Sequence, residues 1–119
     1  KENGAIVRLV KKARKQIENG TLIEVEVEDL SQVKDTADAG VDIILFDNME
    51  PSKIREAVNM VKEYERNQGA RTGKAILTEA SGNITLQNVE EYAKAGVDRI
   101  SVGAITHSAR ALDISFEIS

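Results

Sequence analysis

The sequence predicts an α/β fold in which short parallel strands alternate with helices. Three observations predict it. Helical and strand periodicities alternate along the chain, one helix-to-strand unit occurs twice, and one strand is apolar on both faces. The repeat comprises Leu30, Val33, Ala37, Ala39, Gly40, Val41, Asp42 and Ile44. It returns 56 residues later as Leu86, Val89, Ala93, Ala95, Gly96, Val97, Asp98 and Ile100. A repeated αβ unit implies right-handed parallel crossovers, as in doubly wound sheets and (β/α) barrels. The competing reading is chance, since Ala-Gly-Val-Asp is a common helix-to-strand turn.

Taken in order, residues 5–17 place Ile6, Leu9, Val10, Ala13 and Ile17 at helical spacing, and Asn19-Gly20 stops that helix. Residues 22–28 alternate, with Ile23, Val25 and Val27 on one face and Glu24, Glu26 and Glu28 on the other, which reads as a strand. Residues 30–39 form a helix with Gly40 as its cap. Residues 42–46 are the nearly all-apolar strand expected inside a parallel sheet. Pro51 opens a helix where its missing N–H is harmless, and Ile54, Ala57, Val58, Val61 and Tyr64 are its buried stripe. After a polar loop at 67–74 come a strand at 75–79, a helix at 86–95 and a strand at 99–102; residues 114–118 alternate as a final strand or closing segment.

Composition narrows the function classes. With 119 residues and 41% apolar content, the chain is sized for one domain with its own core. A net charge of −4 and a pI near 5.1 argue against nucleic-acid or anionic-membrane binding. The local cluster Arg8, Lys11, Lys12, Arg14 and Lys15 sits at helical spacing and reads as a solvated helix face. The lack of cysteine rules out disulfides and thiolate metal sites, and the lone His107 rules out a multi-histidine cage. No apolar run is long enough to span a bilayer and no signal-peptide pattern opens the chain, so a cytoplasmic protein is expected. The chain begins at Lys1, without methionine, inside what reads as the end of a strand. A piece of a longer polypeptide is therefore expected.

In parallel α/β folds the chemistry gathers in the loops after the strand C-termini. Four such places carry unusual residues: Glu26, Asp47-Asn48, Ser81-Gly82-Asn83 and Gly103-Ala104. The last two follow consecutive strands and read as a phosphate cradle, built from backbone N–H groups at a small-residue loop that runs into a helix start. Ser81 adds a hydroxyl donor, Gly82 allows close approach, Asn83 tolerates positive φ, and Thr85 is the expected N-cap of the following helix. An ordinary turn is the alternative for each loop alone. Asp47 reads either as a turn-forming residue before Pro51 or, with Glu26, as a ligand for ribose hydroxyls or Mg²⁺. The row Glu24, Glu26 and Glu28 either lines an interior answered by cations or is a polar edge. His107 reads as a proton shuttle or, more commonly, as a packed or backbone-bonded histidine.

Set side by side, the motifs resemble a known family. Glu24-Val25-Glu26-Val27, Leu45-Phe46-Asp47-Asn48, Glu79-Ala80-Ser81-Gly82-Asn83-Ile84-Thr85, Ser101-Val102-Gly103-Ala104-Ile105-Thr106-His107-Ser108 and Leu112-Asp113-Ile114-Ser115 occur in this order. Together they resemble the C-terminal part of the quinolinate phosphoribosyltransferases (nicotinate-nucleotide pyrophosphorylases, carboxylating). The resemblance implies the C-terminal portion of an open (β/α) TIM-like barrel with parallel strands, residues 1–119 forming a partial barrel domain without its upstream strands and N-terminal domain. It implies a Mg²⁺-dependent pentosyltransferase of NAD biosynthesis. Such an enzyme converts quinolinate and phosphoribosyl pyrophosphate into nicotinate mononucleotide, pyrophosphate and CO₂. By position, the resemblance assigns Lys1 to a substrate carboxylate. It assigns Glu26 and Asp47 to the ribose hydroxyls and the metal, as the catalytic pair. Ser81, Gly82 and Asn83 with Val102, Gly103 and Ala104 fall to the 5′-phosphate.

Two departures stand out. Lys1-Glu2-Asn3 runs into Gly4 a few residues sooner than the family pattern, and Asn83 occupies a position where the family commonly has glycine. Most family arginines for quinolinate lie upstream, with one from a partner subunit. A homodimer is implied, and the 119 residues are expected to be inactive alone. A paralogue acting on another heterocyclic base and a non-catalytic partial barrel are the alternative readings.

Overall fold

The computed structural model describes residues 4–18, 20–68, 75–103 and 113–117. Helix α1 (Gly4–Gln16) leads to β1 (Glu24–Val27), then a 3₁₀ turn (Leu30–Gln32) runs into α2 (Val33–Asp38). Strand β2 (Ile43–Asp47), α3 (Pro51–Gln68), β3 (Leu77–Ser81), α4 (Val89–Lys94), β4 (Arg99–Gly103) and β5 (Asp113–Glu117) follow. The sheet order is β1-β2-β3-β4-β5, with the first four strands parallel. Strand order in space thus equals order in sequence. Crossovers of one hand then lay every helix on the same face. A doubly wound sheet reverses its order part-way; this one does not, so the winding is that of a barrel wall.

The core fills the space between the helices and that face. Val27, Ile44, Phe46, Ala80, Ile100 and Val102 from the strands meet Val33, Ala37, Ile54, Ala57, Val58 and Val61 from α2 and α3, all buried. Burying side chains such as Ile44, Phe46 and Ile54 stabilises by roughly 1.5–3 kcal/mol each. Ile54, Ala57, Val58 and Val61 of the expected stripe are therefore the core face of α3, with Tyr64 partly buried at its end. Among the described residues, the opposite sheet face carries no helix. Strand register aligns Glu26 with Leu45, Leu45 with Glu79, Asp47 with Ser81 and Glu79 with Arg99, which gathers the acidic residues on that face. A cation from this chain answers them in part, since Arg99 Nη1 lies 4.0 Å from Glu79 Oε1.

The two copies of the repeat adopt the same local structure. Gly40 and Gly96 both take left-handed φ, +84° and +99°, and end α2 and α4. Asp42 and Asp98 then tie each new strand to its neighbour. Asp42 donates its N–H to the Ile23 carbonyl (2.9 Å) and accepts the Ile23 N–H at Oδ2 (2.7 Å). Asp98 does the same with Thr78, at 3.0 and 2.9 Å. Buried Asp42 also meets Arg14 Nη2 at 2.9 Å, and Arg14 bonds the Gly40 carbonyl at 2.8 Å. Of the basic cluster on α1, then, Arg14 turns inward while Arg8, Lys11, Lys12 and Lys15 stay exposed.

Several boundaries differ from expectation for local reasons. The helix expected at 30–39 opens as a 3₁₀ turn, because Asp29 Oδ1 accepts the Ser31 N–H (2.8 Å) and caps that tighter turn. The helix expected from Leu86 begins at Val89. Thr85 Oγ1 accepts the Gln87 N–H (3.2 Å) and Asn88 Oδ1 accepts the Thr85 N–H (2.8 Å), which holds 85–88 as a turn and leaves Leu86 exposed. Thr85 therefore caps a turn, and Asn88 occupies the N-cap of α4. The last alternating segment is indeed a strand, but β5 pairs antiparallel to β4, with Arg99 opposite Glu117 and Gly103 opposite Asp113. Alternation reveals a strand and not its direction, which the connecting chain decides. Among the described residues, no helix is long and apolar enough to cross a membrane.

Candidate functional site

The parallel strands all end on one edge of the sheet, and that edge collects most of the residues singled out by sequence. Asp47 ends β2 and Ser81 ends β3, paired in register. The Ser81 hydroxyl donates to Asp47 Oδ1 at 3.2 Å. Val102 and Gly103 close β4, the parallel neighbour of β3, so both small-residue loops leave the same edge. Glu26 stands on β1 beside Leu45, two residues before the level of Asp47. Lys1, Ala104 and His107 lie outside the described residues.

The loops after β2 and β3 are fastened together. Asn48 adopts φ +57° and Asn83 φ +58°, left-handed conformations that non-glycine residues rarely hold without compensation. The Asn48 N–H donates to the Ser81 carbonyl (3.1 Å), and Asn83 Nδ2 donates to Asn48 Oδ1 (2.9 Å). Between them Gly82, at φ +87°, lies so close that an added Cβ would sit 2.7 Å from Asn48 Oδ1 and 2.9 Å from Asp47 Oδ1. The close approach expected of Gly82 is thus made first to the neighbouring strand's loop. Asn88 Nδ2 in turn donates to the Asn83 carbonyl at 3.1 Å. The helix start expected to aim a dipole at Ser81-Gly82-Asn83 is displaced by the intervening turn, so the donors at this loop are its own N–H groups.

Electrostatically the edge is acidic. Carboxylate oxygens of Glu26, Glu28 and Asp47 lie within 4.8 Å of one another. A hydrogen bond with the Asp47 carboxyl, and then its negative charge, hold the Glu26 carboxyl above its ordinary range. Burial also raises Glu24, with Glu79 adding to the effect and Arg99 opposing it. Three converging hard oxygens suit a divalent cation such as Mg²⁺ or a set of sugar hydroxyls. An open cleft of about 330 Å³ adjoins them, lined by Glu28, Asp29, Leu30, Asn48, Met49, Glu50 and Lys53.

In the sequence Asn48 stands beside Asp47 without a task of its own, although an Asp-Asn pair ending a buried strand is a signal for a left-handed turn. In the sequence Arg99 only opens the strand expected at 99–102. Its place on the acidic face emerges only from pairing register.

Comparison with known proteins agrees with this architecture. The family model described as quinolinate phosphoribosyl transferase, C-terminal domain, matches residues 2–117. The chain belongs to that family. It is 38% identical over 109 residues to the probable nicotinate-nucleotide pyrophosphorylase (carboxylating) of Methanocaldococcus jannaschii, covering 92% of this chain and 37% of that protein. To the protein of the same description from Methanothermobacter thermautotrophicus it is 43% identical over 115 residues, 97% of this chain and 39% of the relative. The human nicotinate-nucleotide pyrophosphorylase (carboxylating) is 30% identical over 97% of this chain and 36% of its own length. Among solved structures, the nicotinate-nucleotide pyrophosphorylase of Francisella tularensis superposes with a TM-score of 0.69 at 34% identity, covering 92% of this chain and 36% of that one. NadC from Streptococcus pyogenes gives 0.70 at 30% identity, with 98% and 38% covered. This quinolinate phosphoribosyl transferase domain thus spans under two-fifths of the length of these relatives.

Proposed function

We propose that the chain is the C-terminal barrel segment of a quinolinate phosphoribosyltransferase and supplies the edge that holds phosphoribosyl pyrophosphate. The observation that carries this reading is the joining of Asp47-Asn48 to Ser81-Gly82-Asn83 at one sheet edge, beside Glu26, in a chain of this family. From β2 to β4 is two strand spacings, about 10 Å, the scale of a phosphorylated sugar. Backbone N–H groups of Ser81-Gly82-Asn83 and Val102-Gly103-Ala104 take the 5′-phosphate in this reading. Glu26 and Asp47 accept hydrogen bonds from the ribose hydroxyls, and Lys1 pairs with a carboxylate of quinolinate. Positive charge grows on the ribose as pyrophosphate departs, and the fixed carboxylates stabilise it without having to reorient. Holding the sugar at both ends keeps C1 in line for the pyridine nitrogen.

Glu26 and Asp47, with Glu28 beside them, would hold Mg²⁺, whose chemistry is to neutralise the departing pyrophosphate. Decarboxylation then gives nicotinate mononucleotide. The reading carries with it a cytoplasmic homodimer in NAD biosynthesis, with quinolinate arginines supplied from outside these 119 residues.

The test is calorimetric titration of the full-length protein that carries this chain with phosphoribosyl pyrophosphate and Mg²⁺. Asp47→Ala is expected to weaken binding at least tenfold, about 1.4 kcal/mol or more, and Gly82→Val to abolish it. Saturable binding indifferent to both changes would remove the reading.

A further inference from the structure

Asn83 poses a physical question that the phosphate reading leaves open. A loop that needs only close backbone approach is best served by glycine at φ +58°, because a Cβ there is strained. Asparagine makes the conformation harder to hold and adds a side chain. That side chain is spent on one contact, the bond from Nδ2 to Asn48 Oδ1 at 2.9 Å. Asn48 is itself left-handed, and its N–H is fixed on the Ser81 carbonyl at 3.1 Å. On the far side, Asn88 Nδ2 grips the Asn83 carbonyl at 3.1 Å while its Oδ1 accepts the Thr85 N–H. Three asparagines therefore link the end of β2, which bears Asp47, to the turn that precedes α4.

We infer that Asn48 and Asn83 are a pair of positioning residues that preset the spacing between the carboxylate end and the phosphate-loop end of the site. The inference rests on the proposed phosphoribosyl pyrophosphate reading and deepens it. Neither side chain needs to touch the ligand. Their shared hydrogen bond fixes where the N–H groups of residues 81–83 stand relative to the Asp47 carboxylate. A ligand gripped at both ends then finds the loops already spaced, and does not lose binding energy in ordering them. Removing the bond lets the two loops move apart, a change that weakens ligand binding more than it weakens the fold. Asn83→Gly separates the two effects, because it deletes the bond while relieving the left-handed strain.

The experiment is a double-mutant cycle in the full-length protein, with Asn48→Gly, Asn83→Gly and the pair. It is read by titration with phosphoribosyl pyrophosphate plus Mg²⁺, by steady-state kinetics and by urea denaturation. Each single change is expected to weaken binding about two- to twelvefold, the range of one ordinary hydrogen bond, and the double change no further than the weaker single. The loss should fall on KM for phosphoribosyl pyrophosphate more than on kcat. Asn83→Gly should leave the urea midpoint level or higher. Additive losses, or a urea midpoint that falls in proportion to affinity, would overturn the inference by making the pair merely structural. A parent protein that binds no phosphoribosyl pyrophosphate would instead sink the functional reading, and the inference with it.

Discussion

The charge on Glu26 is the most exposed consequence of how this edge is built. Its carboxyl is held above the ordinary range by the hydrogen bond with Asp47 and by that neighbour's charge. An acid whose folded pKa exceeds its unfolded value favours the folded state fully below the unfolded pKa, and that benefit fades as pH rises through the folded one. Without metal, the Glu26–Asp47 contact is therefore expected to cost stability from weakly acid pH upward. Glu26→Gln should match the parent in melting temperature below the ordinary glutamate pKa and exceed it at pH 7 to 8. Added Mg²⁺ should raise the parent and not the variant. Melting curves across pH check this, and a difference constant with pH would rule it out. Asp47 and Gly82 stand out in the sequence because each breaks the pattern of its element, a charge ending an apolar strand and a glycine after one, whereas Glu26 follows the alternation of its strand and is singled out by position. The task of Asn48 was not legible, since it depends on a partner 35 residues away.

Among the elements, the repeated helix-to-strand unit was the most legible feature, and the structure explains why its glycine and aspartate recur. Gly40 and Gly96 supply the left-handed turn, while Asp42 and Asp98 bridge to the preceding strand. The copies differ at their helix starts, where Leu30 packs against the core and Leu86 is exposed, and in what else each aspartate receives. Asp98 receives the Thr78 hydroxyl (3.2 Å), whereas Asp42 receives the Arg14 guanidinium from a helix outside the repeat. Arg14 thus fixes α1 to the start of β2. Arg14→Met is expected to destabilise by about 1–3 kcal/mol, the range for weakening a charged group's hydrogen bonding in a buried setting, with Lys15→Met as the exposed control near zero. Urea denaturation of both variants decides it; equal small effects would mean that α1 is anchored by apolar packing alone. Helical periodicity could not distinguish Arg14 from its basic neighbours, because its partner is set by tertiary packing. The direction of β5 was illegible for a similar reason, since alternation is the same read either way along a strand.

At the scale of the whole molecule, helices cover one sheet face, while among the described residues the other carries no helix and holds Glu24, Glu26, Asp47 and Glu79 beside the buried Ile43, with β1 at the sheet's edge. The alternating sequence made Glu24 and Glu26 ambiguous between interior and polar edge, and the fold makes them both: they point to the barrel side and also guard an edge strand. An edge strand with free backbone groups pairs readily with another chain, and charged side chains discourage it. For the 119-residue polypeptide, that protection should fail on mild acidification, because both carboxyls are held above their ordinary range and so gain protons early. Light scattering during acid titration is expected to show association beginning at higher pH for Glu24→Gln/Glu26→Gln than for the parent. The loss of two charges from a net of −4 would itself favour association, so the comparison is with Glu56→Gln/Glu63→Gln, which removes the same charge from exposed positions on α3. If the two double variants associate at the same pH, net charge alone governs solubility. If the β1 pair associates earlier and circular dichroism records added strand content, the edge is the route of assembly, and the acidic side chains of β1 keep the sheet from extending.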